Sequence, residues 1–204
     1  MKIDKKKFIY LLSPNKVSDK FYNYLDKVFK TGKISFFQMR FKNYSFDKKI
    51  LIGKKIKKIC KKNNVKLIVN DDPFLTKELN ADGCHLGQYD TGILQAKKII
   101  PDKIIGITCH NSIKLAKIAI KSKASYLAFG AFFSTKTKKT KYKATTKILN
   151  KVKIITKTPL VAIGGINYSN YKKLLLNNAN FLAISSYVWK NKKYKPVKAI
   201  EKLK

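Results

Sequence analysis

Residues 34–70 of the chain read ISFFQMRFKNYSFDKKILIGKKIKKICKKNNVKLIVN. The segment opens and closes with short apolar runs, 34–39 and 66–70, whose lengths and residue types are typical of strands. Between them, Ile52, Ile56 and Ile59 recur at three- and four-residue intervals, as on the buried face of a helix. The segment therefore predicts a strand, a helix and a second strand in succession.

The same alternation extends along the whole chain. Val17, Phe21, Leu25, Val28 and Phe29 mark a first helix, and the predicted strands are 8–12, 34–39, 66–70, 83–86, 104–108, 125–129, 160–163 and 181–185. Eight strands alternating with helices in 204 residues, without an internal linker, predict a single (β/α)8 TIM barrel domain over residues 1–204. A doubly wound open sheet is the alternative, but Ser13-Pro14-Asn15 replaces the glycine-rich turn expected after its first strand.

Composition and cysteine usage indicate the cellular setting. No run of eighteen apolar residues occurs, and the first residues lack the features of a secretory signal, so we expect no membrane association. Cys60, Cys84 and Cys109 are widely spaced and odd in number, which favours small core thiols in a reducing compartment. We therefore expect a cytoplasmic protein.

The formal charge of +35 comes from 46 basic residues, of which only Arg40 is an arginine. The lysines are spread over nearly every segment without a basic tail or a nucleic-acid module, so we expect them to form the solvated face of the helices. A lysine-rich nucleic-acid-binding protein remains the remote alternative. The positive field would attract anionic substrates, and the planar guanidinium of Arg40 suits a phosphate or carboxylate.

Polar residues follow seven successive predicted strands, at the end of the barrel where TIM-barrel chemistry gathers. Any one of them could instead cap a helix, but their joint placement favours a site. They are Gln38, Arg40 and Lys42; Asn70, Asp71 and Asp72; Gln88 and Asp90; Thr108 and His110; Thr135 to Lys138; Gly164-Gly165; and Ser185-Ser186.

Two kinds of site are predicted there. Gly164-Gly165 with Ser185-Ser186 matches the phosphate site that many barrels build from their last two loops. Asp71 and Asp90 follow neighbouring strands and could hold Mg2+, although helix capping is an alternative. Arg40, Lys42 and Lys138 are expected around the same anion. Zinc at Cys84-His85 and Cys109-His110 is disfavoured, because adjacent strand residues face opposite sides.

Together these motifs resemble the thiamine phosphate synthase family. The resemblance runs from Phe8 to Ser186 and is carried by QMRFK at 38–42, LIVND at 67–71, ADGCHLGQYD at 81–90, GITCH at 106–110, FGAFFSTKTK at 129–138 and AIGGI at 162–166. It implies that a hydroxymethylpyrimidine diphosphate loses diphosphate with the help of Mg2+, and that the nitrogen of a thiazole phosphate captures the pyrimidine cation. The product is thiamine phosphate.

The resemblance also implies roles for individual residues. It places the pyrimidine diphosphate on Gln38, Met39, Arg40, Phe41, Lys42, Asn70, Thr108 and Lys138, with Arg40, Lys42, Lys138 and Thr108 catalytic. It places Mg2+ on Asp71 and Asp90, and the thiazole phosphate on Thr135, Lys136, Thr137, Gly165, Ile184 and Ser185. His85 is expected to orient the pyrimidine or to brace the barrel mouth by hydrogen bonds.

The chain departs from the family pattern at Phe41, Thr108 and Ser134, where an acidic residue, serine and proline are usual. We expect affinities to differ and the chemistry to persist. A thiazole tautomerase of the same fold is the alternative function, and it is not expected to need the paired carboxylates. Phosphorylated small molecules are the expected partners, and a homo-oligomer is possible.

Overall fold

A computed structural model describes residues 7–18, 20–134 and 142–203 of the chain. Its strands form one closed barrel in which each strand pairs in parallel with the next strand in the sequence. The last strand returns to pair with the first, Leu182 lying opposite Ile9, so the sheet has no open edge. The predicted TIM barrel is confirmed.

The strands lie close to their predicted positions, with ends that differ by at most two residues. They are β1 (Ile9–Leu12), β2 (Ile34–Met39), β3 (Lys66–Asn70), β4 (Gly83–Leu86), β5 (Ile104–His110), β6 (Tyr126–Phe129), β7 (Leu160–Ile163) and β8 (Phe181–Ile184). The short apolar runs therefore located every strand.

The helices follow the strands and cover the outside of the barrel. Those of the described residues are α1 (Phe21–Phe29), α2 (Phe46–Lys62), α3 (Pro73–Glu78), α4 (Ile93–Ile99), α5 (Ile113–Lys121), α6 (Thr146–Ile155), α7 (Tyr171–Leu176), α8 (Ser186–Trp189) and α9 (Pro196–Glu201). The prediction that Val17 belongs to the first helix is wrong, because α1 begins at Phe21. Val17 lies in the loop before α1, where its N–H donates to the Tyr44 hydroxyl at 3.1 Å.

Burial of the α2 helix explains the pattern that predicted it. Ile52, Ile56 and Cys60 are buried against the barrel, while most of the lysines between them face outward. The Ser45 side chain accepts the Lys48 N–H and so begins the helix. No helix within 7–18, 20–134 and 142–203 is long and apolar enough to cross a membrane.

Alternate residues of each strand pack into two separate layers. The outer layer fills the space between strands and helices and includes all three cysteines, which are free and buried. Burial raises the pKa of the Cys109 thiol to about 12. The inner layer lies along the barrel axis and contains Tyr10, Phe36, Tyr126 and Phe181. The cysteines are core residues, as the sequence predicted.

Gly106 creates the room that this aromatic inner layer needs. In the β-sheet register it lies between His85 of β4 and Tyr126 of β6. A Cβ atom at Gly106 would lie 1.9 Å from Cζ of Tyr126, so no larger residue fits beneath that ring. The ring instead stacks on His85, with centroids 5.6 Å apart and planes 8° from parallel.

Substitution of Gly106 by Ala should therefore destabilise the barrel. We expect the free energy of unfolding to fall by about 2–3 kcal/mol, because the methyl group displaces the buried Tyr126 ring. Urea denaturation measures this change. Gly92→Ala is the matched control, since a Cβ there meets nothing within 4 Å. An equal loss in both variants would contradict the prediction.

Candidate active site

The segment after β2 sends its side chains alternately to the barrel mouth and to the outer layer. Met39 and Phe41 are buried in the outer layer, where the Phe41 ring packs 5.5 Å from that of Tyr44. The charge of Arg40 acts on the Asp71 carboxyl group and offsets part of the rise in its pKa that burial causes. Of the five residues that the resemblance assigns here, Met39 and Phe41 thus have outward-packed side chains and can offer only their backbone.

Asp71 and Asp90 lie near each other at the mouth, where Asp90 adds to the rise in the pKa of Asp71 that burial causes. Asp71 has a φ of +66°, and its N–H donates to the His85 carbonyl at 2.8 Å, which turns the end of β3 toward β4. Asp90 accepts the Gly87 N–H at 2.7 Å and so holds its own loop closed. Two neighbouring loops therefore bring the carboxylates together.

The electrostatics of this pair are set by burial and by the surrounding cations. Burial and the nearby Asp90 raise the pKa of Asp71 to about 6, while Lys42 and Arg40 oppose the rise. The Lys42 ammonium lies 3.6 Å from a carboxylate oxygen of Asp71. Two carboxylates thus share a small space that a further cation would stabilise.

These residues fit a magnesium ion. Mg2+ takes one or two protein carboxylates and completes its shell with water and substrate phosphate, and this donor set suits it. No cluster of three or more His, Cys, Asp or Glu able to hold a metal lies in the described residues. The alternative of helix capping applies to Asp72, which accepts the Leu75 N–H and begins α3.

Beneath the mouth, a chain of hydrogen bonds crosses the barrel interior from β2 to β5. Gln38 Nε2 donates to the Tyr10 hydroxyl at 3.0 Å, and that hydroxyl lies 2.7 Å from the Tyr126 hydroxyl. Tyr126 lies 3.0 Å from His85 Nδ1, and His85 Nε2 lies 2.9 Å from Thr108 Oγ1. We call these five residues the interior chain. Gln38, His85 and Thr108 were predicted site residues, and the structure joins them.

Sequence reasoning missed Tyr10 and Tyr126, although both are fully buried. Each lies within a short apolar run that predicts a strand, where a tyrosine is counted as a hydrophobic residue and its hydroxyl is not considered. Their alternation with outward-facing Ile9, Leu11 and Leu127 was the available signal. Burial raises the pKa of both phenols and lowers that of His85 to about 4, so the whole interior chain is uncharged near neutral pH.

Ser13 connects the two halves of the mouth and was also missed. Its Oγ accepts the Arg40 N–H at 2.9 Å, and its carbonyl accepts the Ser185 hydroxyl at 3.2 Å. In the sequence, Ser13 is notable only as the first residue of a turn that lacks glycine. The structure makes it a brace between the end of β2 and the end of β8.

The loop after β7 turns sharply through two glycines, and its role as a phosphate site stays a prediction. Gly164 and Gly165 have φ values of +104° and +64°, which favour glycine. A Cβ atom at Gly165 would lie 2.4 Å from the Ser134 carbonyl oxygen, so the two loops lie in close contact. Ser185 immediately precedes α8, whereas the Ile184 side chain is buried in the outer layer.

The remaining predicted residues have different outcomes. Asn70 ends β3 and is half-buried beside Asp71. Thr135, Lys136, Thr137 and Lys138 lie outside the described residues. At the far end of that gap, the Tyr142 ring stacks on His110 with centroids 4.3 Å apart.

A cavity of about 420 Å³ opens beside Asp71 and is lined by Lys42, Asn70 and Asp71 among others. A larger cavity of about 580 Å³ lies between α1 and the α8–α9 region, lined by Tyr24, Trp189 and several lysines. It contains neither carboxylate and none of the interior chain. The smaller cavity is lined by Asp71 and Lys42 but not by Asp90, Arg40 or the interior chain, so it adjoins only one side of the mouth.

Comparison with known proteins agrees with this geometry. Residues 9–188 match the family model described as thiamine monophosphate synthase. The chain belongs to this family. It is 62% identical over 200 residues to the thiamine-phosphate synthase of Pelagibacter ubique, covering 98% of this chain and 97% of that protein. It is 40% identical over 152 residues to the thiamine-phosphate synthase of Saccharophagus degradans, covering 74% and 70% of the two chains.

A solved structure supports the same assignment. The thiamine phosphate pyrophosphorylase of Pyrococcus furiosus superposes with a TM-score of 0.86 at 28% identity, covering 98% of this chain and 94% of that one. The resemblance read from the motifs is thereby confirmed at the level of the family.

Replacement of Asp71 by Asn tests the carboxylate pair. The change removes one of two neighbouring negative charges, and Asn tolerates a positive φ, so we expect the metal-free protein to gain about 1 kcal/mol, or roughly 2–4 °C in unfolding midpoint. Mg2+ should raise the wild-type midpoint and leave that of the variant unchanged. Differential scanning calorimetry with EDTA or Mg2+ measures both effects.

Asp102→Asn is the matched control, because it removes an exposed carboxylate elsewhere on the protein. A lower midpoint for Asp71→Asn than for this control, measured in EDTA, would show that the pair does not repel.

Proposed function

We propose that the protein joins hydroxymethylpyrimidine diphosphate to thiazole phosphate, giving thiamine phosphate and diphosphate, with Mg2+ held by Asp71 and Asp90. The synthase activity follows from the family and from the relative at 62% identity. The assignment of residues is supported by the proximity of two carboxyl groups, one of which lies 3.6 Å from the Lys42 ammonium.

The mouth is suited to the departure of diphosphate. The bond between the pyrimidine methylene carbon and the diphosphate oxygen breaks, and its electron pair leaves with the diphosphate. Arg40 and Lys42 stabilise the growing negative charge, and the guanidinium can grip two oxygens at once. Mg2+, when bound, neutralises part of the same charge as a Lewis acid. Lys138 is assigned to the same anion by resemblance.

The second half of the reaction requires little proton chemistry. The thiazole nitrogen attacks the methylene carbon with its own lone pair, so no general base is needed to activate it. The residues around the mouth agree with this requirement, because the pKa of His85 is lowered to about 4 and both of its nitrogens are paired. The chain's main contribution is to hold the two substrates together.

The thiazole phosphate is assigned to the loops after β6, β7 and β8. Gly165 and Ile184 offer backbone groups, and Ser185 offers a hydroxyl beside Ser13. Thr135, Lys136 and Thr137 complete this set by resemblance. Ser13 braces Arg40 and Ser185, so the two substrate sites share a common support.

The carboxylate pair favours the synthase over the thiazole tautomerase, which is not expected to need it. A cytoplasmic location, the absence of specific nucleic-acid binding and a possible homo-oligomer stay predictions. Three buried, free cysteines are compatible with a reducing compartment.

Incubation of the purified protein with both phosphorylated substrates tests the function directly. We expect thiamine phosphate and diphosphate to appear in equal amounts with Mg2+, and the rate to collapse in EDTA. Chromatography quantifies both products. A second incubation, of the protein with thiazole phosphate alone, tests for tautomerase activity. Isomerisation of the thiazole phosphate, without condensation when both substrates are present, would overturn the proposal.

Substitution of Arg40 by Lys tests the guanidinium separately from its charge. We expect kcat to fall about 10- to 100-fold, because a single ammonium cannot form the two parallel hydrogen bonds of the fork. The free energy of unfolding should change little, since the Arg40 N–H keeps its bond to Ser13. Lys54→Arg, on the exposed face of α2, is the control for exchanging one cation for the other. Wild-type turnover in Arg40→Lys would show that the guanidinium has no role in the reaction.

A further inference from the structure

The hydrogen bonds of the interior chain all run in one direction, because each hydroxyl has only one proton to donate. Among the described residues, the Tyr10 hydroxyl contacts only Gln38 and Tyr126. Gln38 presents its amide Nε2, which can only donate, so the Tyr10 oxygen is an acceptor on that side. The single proton of Tyr10 must therefore go to Tyr126.

The remaining donors follow in order. Tyr126 receives a proton from Tyr10, so its own proton goes to His85 Nδ1, 3.0 Å away. A neutral imidazole carries one N–H, which must then be on Nε2 and donate to Thr108 Oγ1 at 2.9 Å. The Thr108 oxygen thus accepts from His85, and its own proton is left for a different acceptor.

The opposite direction leaves a proton without a partner. If Tyr126 donated to Tyr10, the Tyr10 oxygen would accept twice, and its own proton would find no acceptor in the described residues. Tyr10 is only 1% exposed, so bulk water does not reach its hydroxyl, and an unpaired buried hydroxyl is costly. Rotation of the Gln38 amide by 180° is the one change that would reverse the chain.

We propose that Tyr10 and Tyr126 are positioning residues that fix His85 as the Nε2–H tautomer and thereby turn the Thr108 hydroxyl proton toward the barrel mouth. Thr108 is half-exposed at the end of β5, so its proton can reach a bound molecule. The acceptor is an atom of the pyrimidine diphosphate, and this part rests on the proposed function. Because Nδ1 accepts the Tyr126 proton and Nε2 faces the Thr108 oxygen, the ring carries its N–H on Nε2.

Nitrogen-15 NMR of the intact protein with labelled histidine reads the tautomer directly and needs no substrate. The chain has two histidines, so His110→Gln assigns the signals of His85. We expect a protonated Nε2 and an unprotonated Nδ1 in the wild type at neutral pH. The opposite tautomer, or an average of both, overturns the proposal. Because turnover is not involved, a failure of the proposed function would leave this result unchanged.

Tyr126→Phe tests the control that Tyr126 exerts. Without its hydroxyl, His85 Nδ1 loses its donor, and we expect the two nitrogen signals to move toward an average. Tyr171→Phe is the matched control, because Tyr171 is equally buried but lies outside the interior chain, and the His85 signals should not move. A pure Nε2–H tautomer in Tyr126→Phe would exclude the role of Tyr126.

Turnover then shows whether Tyr126 acts through Thr108. We expect Tyr126→Phe to lower kcat about tenfold while KM changes less than about twofold, the size expected for one hydrogen bond. Thr108→Val should lower kcat at least as much, and the double variant no further than Thr108→Val alone. Independent, additive losses would overturn the proposal. If Tyr126→Phe does not fold, the wild-type spectrum decides the tautomer, and Tyr10→Phe, expected to shift the same signals less, replaces it.

Discussion

Closure of the barrel turns alternate strand residues toward a buried axis, and the polar groups of the mouth depend on this constraint. A hydroxyl or an imidazole placed there must find its partner among other inward-facing side chains. Gln38, Tyr10, Tyr126, His85 and Thr108 meet this demand by bonding to one another from four different strands and the end of β5. The same alternation sends Met39 and Phe41 to the opposite side, into the layer beneath the helices.

The closed sheet also determines which loops can cooperate. Neighbouring strands β3 and β4 end beside each other, so Asp71 and Asp90 meet although nineteen positions separate them in the sequence. Because β8 pairs with β1 and β1 with β2, Ser13 can contact both Ser185 and Arg40.

The charge of the barrel mouth differs from that of the protein as a whole. A protein of net charge +35 attracts phosphorylated substrates over its whole surface, while its mouth concentrates two carboxylates that suit a divalent cation.

The eight strands and the first two helices, α1 and α2, could be predicted from the sequence because each is encoded by local periodicity. The candidate site could be predicted in part, since Arg40, Lys42, Asn70 and the two aspartates follow strand ends in recognisable motifs. Tyr10 and Tyr126 were not predicted as site residues, because a tyrosine in an apolar run is counted as a hydrophobic residue. Only the register of the strands in the closed barrel brings their two hydroxyls to within 2.7 Å of each other. Val17 was misplaced because a hydrogen bond to distant Tyr44 replaces the helical turn.

The sequence by itself determined the barrel, the family and the end of the barrel at which its polar residues gather, because these depend on periodicity, motif order and strand direction. Only the tertiary structure decided how those residues pair: that Asp71 faces Asp90, that Ser13 braces Arg40 and Ser185, and that two tyrosines connect Gln38 to His85. The physical reason is that hydrogen bonds and charge contacts act over about 3–4 Å. Distances of that size between remote segments are set by barrel closure and packing, which no local stretch of sequence encodes.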